Sequence, residues 1–336
     1  MATTLEKGSS QKTAAQVTLR NFWHPLCMSE DVTQQPSAFT LLDEQVVAFR
    51  DAHGVAAFKD LCIHRGTALS LGEITDGRLT CPYHGWQYDR TGACVHIPAL
   101  LPGASIPRKA RAVVYRAEER YGMVWLAMDE PAASIPDWPH VSDPDPEYEC
   151  FLAGRWVWNS SAGRAIENGM DFSHFNFVHK GLTVLADGPV IKQHEVREMP
   201  GGLAYEYDDS LITRKYRVYI PFTLHDEKMQ RNGDTSVVTI IATPRTSTTA
   251  EVYTFATRNH ASAVALKGKD EVQDRDAVRA AVAEVFNQDR RIVESQRPEE
   301  IPTDLRDELH LKVPDANALM YRRLLSRIGG IAPHMP

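Results

Sequence analysis

The chain has 336 residues, 43% of them hydrophobic and 24% charged, which suits roughly two soluble globular domains with sizeable cores. A net charge of −7 and a pI near 6.0 argue against nucleic acid or an anionic membrane as the main partner. No apolar run approaches the ~18 residues needed to span a bilayer, and five cysteines, an odd number, give no disulfide framework.

Residues 1–16 are small and polar, without the apolar stretch of a signal peptide, and read as a disordered tail on a cytoplasmic protein. Residues 17–130 read as a β-rich module. Short runs at Val46–Phe49, Val55–Phe58, Val113–Tyr115 and Met123–Met128 alternate with turn residues, and "DAHG" (51–54) and "DRTG" (89–92) look like hairpin turns. His24, His53 and His96 read as structural histidines, and Cys27, Cys94 and Cys150 as small buried hydrophobes. Residues 131–148 carry five prolines and no periodic pattern, which marks a linker or extended wrap.

From residue 149 to 336 the pattern becomes α+β. It predicts a helical stretch over 161–179, then antiparallel strands at Leu203–Tyr207, Lys215–Tyr219, Ser236–Thr243 and Glu251–Thr257. A long helix near 274–297, stopped by Pro298 and Pro302, and a final helix near 315–328 complete the chain. The polar stretch 222–235 reads as a mobile lid or a solvated hairpin.

Two constellations carry chemistry. Cys62-Ile63-His64, followed after sixteen residues by Cys81-Pro82-Tyr83-His84, sets two soft thiolates and two imidazoles on two loops. Such a set can hold zinc, or a [2Fe–2S] cluster in which histidines replace cysteines on one iron. The second is the segment from Glu167 to His179, "ENGMDFSHFNFVH". On an ideal helix His174 and His179 stand about 500° apart, or about 140° off one face, so convergence on one ion requires a distortion or a helix end between them. A third group comes from the long helix. Its apolar stripe (Val278, Ala281, Val282, Val285, Phe286, Ile292, Val293) contains Asp289 where Leu or Val is expected, and a carboxylate there needs a metal or an arginine partner. Gln296 falls on the same stripe, whereas Asp274, Asp276, Arg290 and Arg291 lie off it.

"CIHRG" and "CPYHGWQYD" resemble the cluster loops of Rieske-type iron–sulfur domains, which implies Cys62 and Cys81 on one iron, His64 and His84 on the other, and Trp86 packed beside them. The segments "ENGMDFSHFNFVH", "FNQDRRIVESQRP" and "VPDANALMYRRLLSRIG" extend the likeness to the Rieske non-haem mononuclear iron oxygenases of the single-subunit arm. These include caffeine-type N-demethylases, vanillate- and dicamba-type O-demethylases and saxitoxin-type hydroxylases. By that match His174, His179 and Asp289 hold a catalytic Fe(II), two histidines and one carboxylate with open positions. Asp171 links His174 to His84 of the partner subunit, giving electrons a hydrogen-bonded route. Glu167 stands where many relatives have Asp. Asn168 is left open between supporting the site and capping a turn.

The resemblance implies an N-terminal all-β Rieske domain and a C-terminal catalytic domain with an antiparallel sheet flanked by helices. It implies a terminal oxygenase using O2 on a small organic, aromatic or heterocyclic substrate, by hydroxylation or oxidative demethylation. Ring cis-dihydroxylation is the alternative, and a Rieske electron-transfer protein is the rival from another class. With no strand-linked GxGxxG and no plant-type C-x4-C-x2-C run, electrons come from a separate NAD(P)H-dependent reductase, with or without a ferredoxin. A homotrimer in cyclic arrangement follows from an electron path that crosses subunits. The substrate pocket is expected near Met170, Phe175, residues 180–191 (Lys180, Gly181, Leu182, Thr183) and inward positions of the sheet at 203–257.

Overall fold

The computed structural model describes residues 17–179, 182, 185–259 and 275–328. The first sixteen residues, Lys180, Gly181, Thr183 and Asp274, for which expectations are stated above, lie outside them. Ten strands build the N-terminal part: β1 (His24–Met28), β2 (Ser37–Leu41), β3 (Glu44–Asp51), β4 (Gly54–Lys59), β5 (Glu73–Thr75), β6 (Arg78–Thr80), β7 (Gln87–Tyr88), β8 (Cys94–His96), β9 (Val114–Arg120) and β10 (Met123–Ala127). They form a six-stranded sheet in the order β1-β10-β9-β4-β3-β2 and a four-stranded sheet β5-β6-β7-β8. The expected runs fall in β3, β4 and β10, where buried Val, Ala and Phe suit a pleated surface packed on both sides, and the run at 113–115 opens β9, which buries Tyr115 and leaves Val113 and Val114 exposed. "DAHG" closes the β3–β4 hairpin, and "DRTG" turns β7 into β8 with Asp89 Oδ1 accepting from the backbone N–H of Thr91 and Ala93. His24 is buried with Nε2 2.8 Å from the Leu19 carbonyl, and burial holds its pKa down at about 4.

Residues 131–147 carry no helix or strand, yet Ile135 and Trp138 are buried with Trp125 on one side and Ile241, Tyr253 and Phe255 on the other. The Pro-rich stretch therefore wraps and fills the seam between two sheets.

The second part holds β11 (Tyr148–Trp158), α1 (Ala162–Met170), α2 (Phe175–Val178), β12 (Val196–Met199), β13 (Gly202–Asp208), β14 (Ile212–Tyr219), β15 (Thr223–Gln230), β16 (Thr235–Pro244), β17 (Ala250–Asn259), α3 (Arg275–Val293) and α4 (Ala316–Leu325). The seven strands form one antiparallel sheet in the order β11-β17-β16-β15-β14-β13-β12. Helices α1, α3 and α4 pack on one face of it.

Four expectations are corrected here. The helical stretch 161–179 is two helices, because α1 ends at Asp171, whose extended backbone (φ −84°, ψ 131°) cannot continue it. The long helix ends at Val293, four residues short of the expected stop, and the final helix covers only 316–325. An eleven-residue strand, β11, precedes the helices. Residues 222–235 are no lid: 223–230 form β15, a central strand with Thr223, Leu224, His225 and Asp226 buried, and only the tip at 231–233, which turns β15 into β16, is the expected exposed hairpin. Asp226, Lys228 and Gln230 face a cavity while Thr223 and His225 are buried on the opposite face, so composition misrepresented the burial of this strand.

Candidate functional site

The two cysteine–histidine loops share one local fold. In each, the cysteine N–H donates to the carbonyl five residues on (Cys62 to Thr67, Cys81 to Trp86, both 2.8 Å). The glycine four residues on donates back to the cysteine carbonyl, Gly66 at 2.9 Å and Gly85 at 3.0 Å. Both glycines sit at positive φ, 72° and 69°, a conformation L side chains rarely adopt. The turns bury Cys62 and Cys81 at 2% exposure and leave His64 and His84 exposed at the tip. The two imidazole centroids lie 4.6 Å apart, and Trp86 stacks on His64 at 4.5 Å and 7°. Tyr88 Oη lies 3.0 Å from Cys62 Sγ. A single zinc would gather these donors within about 4 Å of each other. Among the described residues no three of them lie within 4.8 Å of one another.

The second constellation does converge. His174 and His179 bracket the single turn of α2, one as its N-cap and the other as its C-cap, so the 140° offset of an ideal helix never applies. Their Nε2 atoms lie 3.2 Å apart, and Asp289 Oδ1 stands 3.1 Å from His179 Nε2 and 3.4 Å from His174 Nε2. Donors held about 2.1 Å from one ion in cis positions lie about 3 Å apart, which is the size of this triangle. The far nitrogens are already engaged: His174 Nδ1 with Asp171 Oδ2 at 3.1 Å, His179 Nδ1 with Gln288 Oε1 at 2.9 Å. Each ring thus turns its Nε2 to the common point. Asp289 is buried at 6% exposure, and its Oδ1 has no well-aligned hydrogen-bond donor. Burial opposes ionisation of Asp289, but the two imidazoles beside it outweigh that and hold its pKa below the ordinary value. An orphaned buried carboxylate oxygen facing two imidazole nitrogens is a vacancy in the hydrogen-bond inventory that a cation fits.

Asp171 caps the end of α1. Its Oδ1 accepts from the Ser173 N–H (2.7 Å) and hydroxyl (2.6 Å), and its side chain stays 31% exposed. It makes no bond to His84 of its own chain among the described residues. Glu167 is structural: both its oxygens take the buried Arg322 guanidinium at 2.6 Å. Gln296 plays no part in the triangle. Gln288 does, and the sequence offered no sign of it, since it lies one residue off the buried stripe.

Between α1–α3 and the sheet lies a cavity of about 170 Å³, lined by His174, His179 and Asp289 at one side and by β14–β17 at the other. That is close to the ~150 Å³ of an apolar cavity that takes one benzene. Asn168 and Gly169 line it too, and a Cβ at Gly169 would come within 2.9 Å of Ile240 Cδ1, so the glycine lets α1 approach the sheet. Of the expected pocket residues, Phe175 lines the cavity and Met170 is buried in the core beside it.

Residues 22–107 match the Rieske [2Fe-2S] domain, and residues 158–329 match the vanillate O-demethylase oxygenase C-terminal domain. The chain is 30% identical to methylxanthine N1-demethylase NdmA of Pseudomonas putida, over 92% of this chain and 89% of that one. It is 31% identical to methylxanthine N3-demethylase NdmB of the same organism, over 85% and 83%. A solved structure of the NdmA QL mutant with theobromine superposes with a TM-score of 0.80, covering 92% of this chain and 90% of that one. Dicamba monooxygenase, at 22% identity and a TM-score of 0.74, shares the fold. No helix among the described residues is long and apolar enough to cross a membrane. The chain is an enzyme of the Rieske non-haem iron oxygenases, with a [2Fe–2S] cluster and a mononuclear iron as its cofactors.

Proposed function

We propose that this chain is the terminal component of a monooxygenase system that hydroxylates, or oxidatively demethylates, a small aromatic or heterocyclic compound. The observation that carries the reading is the triangle of His174, His179 and Asp289 opening onto a cavity with room for about one ring, apolar along its helical side and charged along the sheet. An electron carrier needs no such cavity. The relatives matched over most of the chain are named demethylases, which favours attack at a methyl group.

In this reading Cys62, Cys81, His64 and His84 hold the cluster, and His174, His179 and Asp289 hold the iron. The iron supplies oxygen activation when bound. The protein's own part is positional. Gln288 and Asp171 fix the two imidazoles with Nε2 forward, and Phe175, Val282, Val285 and Phe286 keep water from the cavity. Asp171, a third exposed, is free on one side to meet His84 of the partner subunit in a homotrimer. Residues 17–130 and 149–336 are then the two domains and 131–148 their joining wrap. Electrons come from a separate NAD(P)H-dependent reductase.

The test is turnover with a surrogate reductase against N- and O-methyl arenes, with formaldehyde and hydroxylated product both assayed. Formaldehyde or a mono-hydroxylated product is the expected result; a cis-diol would replace this reading by dihydroxylation. In Asp171→Asn the cluster should reduce as in the parent, while its reoxidation by O2 with substrate slows by at least about 100-fold. An unchanged rate would remove Asp171 from the path.

A further inference from the structure

The cavity wall opposite the metal triangle is charged in a way that folding alone would not select. In the antiparallel register Arg214 on β14 stands directly opposite Lys228 on β15, Lys228 opposite Ser236 on β16, and Ser236 opposite Arg258 on β17. Directly paired residues share a sheet face, so three cations run in one row across four strands, and all four residues line the cavity. Like charges in direct opposition are destabilising.

Compensation along the row is incomplete. Arg258 is neutralised from outside the cavity by Glu149, at 2.8 Å. Arg214 and Lys228 share one carboxylate oxygen, Asp226 Oδ2, at 3.2 and 3.3 Å. Asp209 lies behind Arg214, but its carboxylate already accepts the backbone N–H groups of Ala186, Leu211 and Ile212. Arg214 is 3% exposed and its Nε–H has no well-aligned acceptor; burial opposes its charge, but Tyr216, Asp226 and Asp209 beside it outweigh that and hold its pKa above the ordinary arginine value. Burial, with the Arg214 charge beside it and Asp226 pulling the other way, holds the Lys228 pKa below its ordinary value.

The placement fits a small ring. The Arg214 guanidinium carbon lies 5.0 Å from the Phe175 ring centroid, and that ring lies 5.0 Å from the His174 ring and 5.8 Å from the His179 ring. Phe175 thus flanks both the cationic row and the metal triangle, and all of them line the one cavity.

Taking the oxygenase reading above as its basis, we infer that the substrate is an arene or heteroarene carboxylate. Its acid group sits on Arg214 and Lys228, and its reactive position is turned toward His174, His179 and Asp289. Arg214 and Lys228 are then specificity-determining residues: they select and orient the ring without touching the atoms that react.

The holoenzyme can be titrated anaerobically by calorimetry with benzoate, picolinate and 3- and 4-methoxybenzoate, each beside its methyl ester and primary amide, and with 2-pyridone. Acids should bind at least about tenfold tighter than their neutral partners, the ratio expected for a hydrogen bond to a buried charge. Arg214→Gln should bring that ratio near one, with thermal unfolding and the cluster spectrum, compared with the parent, certifying the fold. Lys228→Met, at a half-buried position, should cut the ratio without emptying the Arg214 site. Neutral partners or 2-pyridone binding as tightly as the acids would overturn the inference. So would the absence of saturation by any acid at millimolar concentration, or an acid preference that both variants keep. Selective acid binding with no oxygen consumption on reduction would leave the cationic row standing and overturn the oxygenase reading instead. Turnover of neutral rings without acid binding would do the reverse.

Discussion

Tyr88, on β7 of the small sheet that carries the second cysteine loop, holds its Oη 3.0 Å from Sγ of Cys62 in the first loop, and both residues are buried. Burial, with the neighbouring thiols of Cys62, Cys94 and Cys81, pushes the phenol pKa up, so the group is a proton donor throughout the working range. Donors to cluster sulfurs stabilise the extra electron and raise the potential. Tyr88→Phe should therefore lower the cluster potential by roughly 60 mV, the one-electron equivalent of a tenfold change in equilibrium. Visible and EPR spectra of the cluster should persist, and a redox titration reads the shift. An unmoved midpoint would mean that the hydroxyl does not donate to the cluster.

Removing the Asp289 carboxylate breaks the metal triangle without touching the cysteine loops. Asp289→Ala should carry about two iron atoms per chain against about three in the parent, keep the cluster spectrum and lose turnover. Iron analysis with visible absorption settles it: three irons retained together with activity would remove Asp289 from the ligand set.

Gln288 holds His179 through Nδ1 at 2.9 Å and so acts on the metal only through that ring. Gln288→Leu should weaken Fe(II) affinity about 10- to 100-fold, the usual cost of losing such a support, with the cluster unaffected. Competition with an iron chelator measures this. Rescue by Gln288→Glu is expected, since a carboxylate accepts the same imidazole N–H.

With iron held as proposed, protons should compete with it at the triangle. Burial opposes charge on His174, but Asp171 and Asp289 outweigh it and raise its pKa to about 9 in the metal-free protein. At neutral pH the ring is therefore protonated until a metal displaces the proton. Fe(II) affinity of the iron-depleted protein should rise with pH through neutrality and level off above about 9. Potentiometric titration with Fe(II) under anaerobic conditions should show proton release at pH 7; none would contradict the sign.

What could be read from the chain alone was whatever depended on residue type at short range. Two cysteines and two histidines at fixed spacing, a carboxylate within the buried stripe of α3, and alternating apolar residues in β3, β4, β16 and β17 are local patterns, and a family likeness sharpened their meaning. Convergence was another matter. His174 and His179 meet because α1 stops at Asp171 and α2 lasts one turn, and Asp289 joins them across more than a hundred residues of chain. Gln288 left no trace, since its role depends only on the imidazole that happens to face it. Residues 223–230 misled for the same reason: a strand that buries polar groups on both faces, Asp226 and Lys228 against the cavity and Thr223 and His225 opposite, has the composition of an exposed loop. The row of Arg214, Lys228 and Arg258 is a matter of strand register, and register is decided by long-range pairing across four strands rather than by any one segment.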